Sequence, residues 1–455
     1  MSDRPESVEG IGPATSRLVA DHVLTGVSGP HGPDTAPVVD FVAGGAIDIA
    51  DDGRIVAVGN EADLGPAPAS VTRFSGLLMP GLVNAHAHTP MTLVRSAGDG
   101  MPLQQWLTDA VWPREGRMTP DDAWWGMTLG SAEMLLAGVT TSNEMYFFEE
   151  QIADAVSRSG ARLMMTPGVI QALLPDGQVG ARIAEIADFH RRFHDPDNRI
   201  NVGFAPHSLY DLTPEQCGEI ADMAKRSHAL FHIHLEETTA ERDLVRERYG
   251  KSATQALADA GCLEAKVVAA HGVWLDDDDQ RLLADAGASV AHCPQSNLKL
   301  GSGIAPIAKM LAAGLAVALG TDGVASNDDL DLWEELKLAP LLARGSTTNP
   351  QAMPAATAIH LATAAGGAAL GLDDVGHLSV GARADIIRID TDQPAFTPGL
   401  DLPTHLVFGG SSRFVTDVWV DGHRVVADGT LTTLDLDEAK REVTTRGRRI
   451  AEAVA

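Results

Sequence analysis

The stretch Met79-Pro80-Gly81-Leu82-Val83-Asn84-Ala85-His86-Ala87-His88 is a short apolar run that ends in two histidines one residue apart. Side chains alternate along a strand, so His86 and His88 point to the same side and can grip one ion. A lone histidine is usually a core or surface residue; a His-x-His closing a strand reverses that expectation. Working outward, seven more apolar segments follow, at 138–141, 162–165, 200–204, 230–234, 266–271, 288–292 and 316–320. Between them lie stretches of helical spacing, among them 214–226, 276–285 and 304–313, several opening at Thr, Asp or Pro. Eight β/α units predict an α/β chain built on a (β/α)8 barrel of the TIM type, with its active site at the C-terminal ends of the strands. A doubly wound sheet is the lesser alternative, because Gly301-Ser302-Gly303 runs into Ile-Ala-Pro and completes no nucleotide-binding fingerprint.

Both chain ends read differently. Short β segments broken by Gly and Pro fill 16–74, with a loop at 29–37, and β segments return at 384–389, 404–408, 417–420 and 424–427 before a charged helix at 435–454. The expected organisation is therefore 1–75 and 373–455 as the two parts of one small β-sandwich, and 76–372 as the catalytic barrel.

Composition narrows the function. The chain has 455 residues, too many for a simple binding module, and 34 Lys plus Arg against 62 Asp plus Glu leave a net charge of −28. That field repels phosphate backbones and anionic membranes, so neither nucleic acid nor a lipid surface is expected as a partner. Cys217, Cys262 and Cys293 form no C-x-x-C pair, which excludes a disulfide framework and a cysteine zinc site. The opening Met-Ser-Asp-Arg-Pro-Glu-Ser does not read as a signal peptide, and no apolar run is long enough to cross a membrane. A cytoplasmic homo-oligomer acting on a small molecule is expected.

Further candidates cluster at strand ends. Phe231-His232-Ile233-His234-Leu235-Glu236-Glu237 closes the fifth strand, with His234 nearer the mouth, His232 structural and Glu237 within reach of an ion. Against this, an acid there could simply be a solvated helix-start residue, favoured by the dipole. His271 ends the sixth strand, and Asp322 in Thr-Asp-Gly ends the eighth, where a bare turn is the competing reading. Three imidazoles and a carboxylate suit Zn2+ or Fe2+ with one position left open. His207, in Ala205-Pro206-His207-Ser208, stands where a dinuclear hydrolase would carry a bridging carbamylated Lys, so one metal is expected.

With these motifs in place the chain resembles the amidohydrolase superfamily, in the branch of cytosine-deaminase-like and S-adenosylhomocysteine/methylthioadenosine deaminase-like proteins. Met79 to His88, Phe204-Ala-Pro-His, His234-Leu-Glu-Glu, His292-Cys-Pro-Gln-Ser-Asn, Gly320-Thr-Asp-Gly and Gly381-Ala-Arg-Ala-Asp carry the resemblance over nearly the whole chain. It implies a sandwich made from both termini, metal ligands at His86, His88, His234 and Asp322, Glu237 as proton shuttle, and His271 as partner of the attacking water. It also implies that Trp106 lines a nucleoside pocket and that Glu115 accepts hydrogen bonds from ribose hydroxyls, whereas without it they read as a loop anchor and a surface acid. His207 is free to hold substrate. One departure concerns Met165-Thr166-Pro167-Gly168, where relatives that bind the homocysteine carboxylate often carry Arg in place of Pro167. Arg182 is another cation that could serve such a carboxylate.

The expected activity is hydrolysis of a C–N bond of a cyclic amidine, releasing ammonia from an aminated purine nucleoside such as adenosine, 5′-deoxyadenosine, methylthioadenosine or S-adenosylhomocysteine. Alternatives are another heterocycle (guanine, a pterin, aminodeoxyfutalosine), a triazine chloro- or aminohydrolase, and a non-catalytic interaction protein of the same fold. The nucleic-acid base deaminases need H-x-E with P-C-x-x-C, and neither is present.

Overall fold

The computed structural model describes residues 12–29, 31, 37–175 and 177–454. The opening Met1 to Ser7 and most of the expected 29–37 loop lie outside them.

The barrel strands are β1 (Leu82–His88), β2 (Val139–Glu144), β3 (Arg162–Met165, resuming at Gly168–Val169), β4 (Ile200–Val202, resuming at Ala205–Pro206), β5 (Leu230–Leu235), β6 (Lys266–His271), β7 (Ser289–His292) and β8 (Ala316–Leu319, resuming at Asp322–Gly323). β1 to β4 pair in sequence, as do β5 to β8, and every pair is parallel. A bridge between Phe204 and Phe231 joins β4 to β5, and Asp322 lies opposite Ala87 to close β8 on β1. Glycine is required at this closure: a Cβ on Gly320 would lie 2.9 Å from the backbone nitrogen of His86. The intervening helices start where the sequence provides caps, as at Thr213 and Asp276, each closing a capping box.

The two chain ends form one nine-stranded mixed sheet. Its long first strand, Ala14–Ser28, pairs antiparallel with Val38–Ala50 and parallel with Leu77–Pro80, which in turn pairs antiparallel with Ile386–Ile389. Leu77–Pro80 thus belong to this sheet although they lie past residue 75. Val23, Ile47, Leu78, Ile386 and Trp419 form its own apolar core. The buried Arg162 at the foot of β3 ties sheet to barrel, donating to Asp385 at 3.1 Å and to Asp421 at 2.7 Å.

One expected strand is a helix. Residues 404–408 lie in Leu402–Gly409, capped by Asp401, whose carboxylate accepts from the Thr404 N–H at 3.2 Å. A five-residue apolar run does not by itself distinguish strand from helix, and here the Asp-Leu-Pro start decides.

The helix Leu436–Glu452 reaches back to the barrel. It packs on the helix Pro120–Leu136 and on the 3-10 turn Thr89–Val94 that follows His88. Gly447 permits the approach, since a Cβ there would sit 3.0 Å from the Leu93 carbonyl oxygen. The latch is Asp122, fully buried, which accepts from Thr119 N–H at 2.7 Å, Arg446 at 3.0 Å and Arg449 at 2.5 Å. Burial alone would raise its pKa, but hydrogen bonds from Arg449, Thr119 and Arg446 outweigh burial and bring it from 3.8 down to about 2. A depressed carboxyl pKa stabilises the fold above its ordinary value, and that contribution is lost as pH falls through the folded-state value. Asp122→Asn should therefore cost about 1.5–3 kcal/mol at pH 7 in urea unfolding, with the gap to the parent narrowing below pH 4 and closing near pH 2.

Candidate active site

Three strand ends converge. His86 and His88 from β1, His234 from β5 and Asp322 from β8 place one ligand atom each within 4.8 Å of one another. Their hydrogen bonds determine which ring nitrogens face inward. His88 Nδ1 lies 2.5 Å from the Met145 carbonyl and His234 Nδ1 lies 3.0 Å from the His207 carbonyl. A carbonyl can only accept, so both Nδ1 atoms carry the proton and both Nε2 atoms present lone pairs. Those two Nε2 atoms stand 3.2 Å apart. Two lone pairs so close repel unless a cation lies against them, which is the chemistry of a metal-binding donor set.

His86 follows the same logic through His232. His232 Nδ1 lies 2.9 Å from the Thr166 hydroxyl, which donates onward to the Glu144 carbonyl, and His232 Nε2 faces His86 Nδ1 at 3.0 Å. The Asn143 amide nitrogen also lies 3.2 Å from His232 Nδ1 but donates to the Ala85 carbonyl at 2.9 Å; with Thr166 accepting from His232, His232 accepts from His86 Nδ1–H and leaves His86 Nε2 free. That atom has no hydrogen-bond partner and lies 3.3 Å from Asp322 Oδ1, as does His88 Nε2. Asp322 Oδ2 accepts from Ser296 at 2.6 Å and Ser326 at 2.9 Å. Burial opposes charge on Asp322, but the adjacent imidazoles of His86, His88 and His271 hold the carboxyl well below its usual range.

Glu237 and His271 stand beside this group, with His271 Nε2 3.8 Å from Glu237 Oε2. The solvated-acid reading of Glu237 fails, because it is 3% exposed and precedes the helix that Thr238 caps. Burial raises its pKa, partly offset by His271. Its backbone N–H donates to Glu241 at 2.8 Å, a buried acid that burial pushes up to about 8. Glu236, His271 and Asp322 all have positive φ, at 49°, 75° and 64°. Such strain at non-glycine positions persists only where the surroundings impose it, and here it turns three strand ends into the cleft.

An open cleft lies above these groups. Trp106 lies on a π-helical turn Trp106–Val111; its indole N–H donates to the Ala97 carbonyl at 2.8 Å, and its ring lines the cleft. Glu115 is no surface acid; it is 5% exposed, lines the cleft and accepts from the Tyr146 hydroxyl at 2.7 Å. Burial raises its pKa against the effect of that bond. His207 also lines the cleft, and burial pushes its pKa down to about 3, leaving a neutral ring. Arg182, in contrast, does not reach the cleft: its guanidinium is paired with Glu149 at 2.9 and 3.1 Å. No Lys or Arg lines the cleft among the described residues, and neither does Pro167.

Sequence reasoning did not pick out Tyr146, Ser296 or Asn297. Tyr146 lies two residues beyond the end of β2, a strand-end position like those of the ligands. Ser296 and Asn297 lay within a quoted motif, but their types carry no reaction chemistry of their own.

Among curated proteins, a 5-methylthioadenosine/S-adenosylhomocysteine deaminase of Pelotomaculum thermopropionicum is 40% identical over 412 residues, 88% of this chain and 94% of its own length. A 5′-deoxyadenosine deaminase of Methanothermobacter thermautotrophicus is 38% identical over 389 residues, 85% of this chain and 90% of its own. Among solved structures, an adenosine deaminase from Xanthomonas campestris with bound zinc superposes with a TM-score of 0.89 at 33% identity, covering 97% of this chain and 100% of that one. Residues 77–425, the whole barrel with the strands that flank it, match the model of one family, and the chain belongs to it: the Amidohydrolase family.

Proposed function

We propose that the chain is a hydrolytic deaminase of adenine nucleosides that uses one divalent ion held by His86, His88, His234 and Asp322. The observation that carries this reading is the cleft itself. Three of the four ligands, His88, His234 and Asp322, line its floor with a buried acid and an imidazole, while a buried glutamate and a tryptophan face stand in its wall. The reading is further supported by the deaminase names of the similar proteins.

A divalent ion bound there supplies Lewis-acid chemistry and makes hydroxide available at neutral pH. The residues do the rest. The raised pKa of Glu237 lets it hold a proton and deliver it to the ring nitrogen beside the amino-bearing carbon, which makes that carbon electrophilic. Asp322 accepts the proton of the attacking water. His271 hydrogen-bonds the oxygen as the tetrahedral centre forms; the proton held by Asp322 passes to the amino group, which leaves as ammonia, and the hydroxyl of the centre returns a proton to Glu237 as the carbonyl forms. Trp106 offers a flat face to the purine or sugar edge. Glu115, held by Tyr146, and His207 bond the vicinal hydroxyls. Among the described residues the wall supplies no cation for a carboxylate, so the 5′ substituent that fits carries no net negative charge.

Elemental analysis of the active protein should find about one equivalent of Zn or Fe per chain, with activity lost on chelation and restored by the ion. Two tightly bound ions per chain would overturn the mononuclear site.

Glu237→Gln keeps the shape and removes the proton carrier. Turnover should fall by about 10²–10⁴-fold with the metal content of the parent. Turnover near the parental rate would place the shuttle elsewhere.

Adenosine, 5′-deoxyadenosine or methylthioadenosine should show a higher kcat/KM than S-adenosylhomocysteine when ammonia release is followed. Glu115→Ala should lower kcat/KM for these nucleosides by about 1.5–3 kcal/mol per lost charge-assisted hydrogen bond while sparing the free base. Inert nucleosides together with chloride release from a chlorotriazine would favour the triazine hydrolase reading instead.

A further inference from the structure

One short segment that contributes no metal ligand touches two of the proton-handling groups. The six-residue helix Pro294–Lys299 follows β7, and Ser296 on it donates to Asp322 Oδ2 at 2.6 Å. The next residue, Asn297, places its Oδ1 2.9 Å from His271 Nδ1. Asn297 is 1% exposed, and its backbone carbonyl accepts from Ser302 N–H at 2.8 Å, so the segment closes on itself around this side chain.

We propose that Asn297 is a positioning residue that sets the tautomer of His271, holding the ring proton on Nδ1 so that Nε2 offers its lone pair to the cleft. This rests on the deaminase reading of the site, in which His271 addresses the attacking water. A neutral imidazole has one proton to place, and the atom beside Nδ1 decides where it goes. The other orientation of the amide would donate Nδ2–H to Nδ1 and turn a protonated Nε2 toward the cleft. Chemistry favours the carbonyl orientation. An acceptor beside Nδ1 satisfies the ring both when it is neutral and when it takes a proton at Nε2, whereas a donor there meets a second N–H once the imidazolium forms. His271 can therefore accept a hydrogen bond from the water and, on gaining a proton, donate to the new oxygen without losing its anchor. Its backbone, at φ 75°, leaves Asn297 as the side-chain contact that fixes the ring from behind.

Two readouts test this. In the metal-loaded parent labelled with ¹⁵N-histidine, the His271 signals, identified by their loss in His271→Asn, should show a protonated Nδ1 and a bare Nε2. A protonated Nε2 with a bare Nδ1 overturns the assignment, and this measurement needs no substrate, so it stands apart from the deaminase reading. In kinetics on the best nucleoside, Asn297→Leu should lower kcat by about 10–100-fold with KM little changed and metal content intact. Asn297→Asp keeps acceptor oxygens only and should restore kcat to within about tenfold of the parent. A Leu variant with parental kcat, or an Asp variant as impaired as the Leu one at full metal content, overturns the proposal. Should the Leu variant fail to fold, the NMR result on the parent decides. A parent inactive on every nucleoside would count against the deaminase reading, while the ring's tautomer would still be read directly.

Discussion

Two imidazole nitrogens with their lone pairs turned toward each other, 3.2 Å apart, are the constraint on which the rest of this molecule depends. Each is held in that posture from behind by a backbone carbonyl, of Met145 for His88 and of His207 for His234. Those carbonyls sit in the loops that leave β2 and β4, so the donor set is defined by neighbours in the barrel as much as by its own strands. A parallel barrel suits the purpose because every strand delivers its last residues to the same end. The cost is that polar atoms converge where apolar ones would pack freely, and the protein bears it with a layer of Thr166, His232 and Ser296 whose remaining valences are matched.

Electrostatics then separates the tasks of similar groups. Asp322 and Glu237 are carboxyls buried in the same cleft, yet two imidazoles draw Asp322 toward its charged form while burial pushes Glu237 toward its protonated one. One is suited to hold and accept, the other to deliver. Glu115, elsewhere in the lining of the cleft, is likewise buried, and its partner is the Tyr146 hydroxyl.

The features legible in the sequence are those whose residue types are rare and whose spacing has geometric meaning. His-x-His at 86 and 88 requires a strand, Thr-Asp-Gly at 321–323 a strand end, and eight apolar segments with helical intervals a closed barrel. Tyr146 and Asn297 were not legible, because they act by touching another functional group and nothing local distinguishes them from ordinary buried polar residues. Residues 404–408 were misread for a different reason: a short apolar run suits either period, and the cap at Asp401 is a single-residue signal. The anchor of Trp106 and the pairing of Arg182 with Glu149 depend on loops and helices meeting in space, which no spacing along the chain encodes.

The sheet built from both chain ends also bears on how such a molecule comes to be folded. Pro80 faces Ile386 across a ladder, so the chain must close a loop of about 300 residues before that pair can form. Contacts of that range form late, after local βα units have condensed, and they favour slow folding through intermediates. β1 begins two residues beyond this pairing, and the turn after it is propped by residues 436–452. His86 and His88, the ligands earliest in the chain, thus lie between contacts made with both chain ends, and the site depends on the final helix as well as on the strands that carry its ligands.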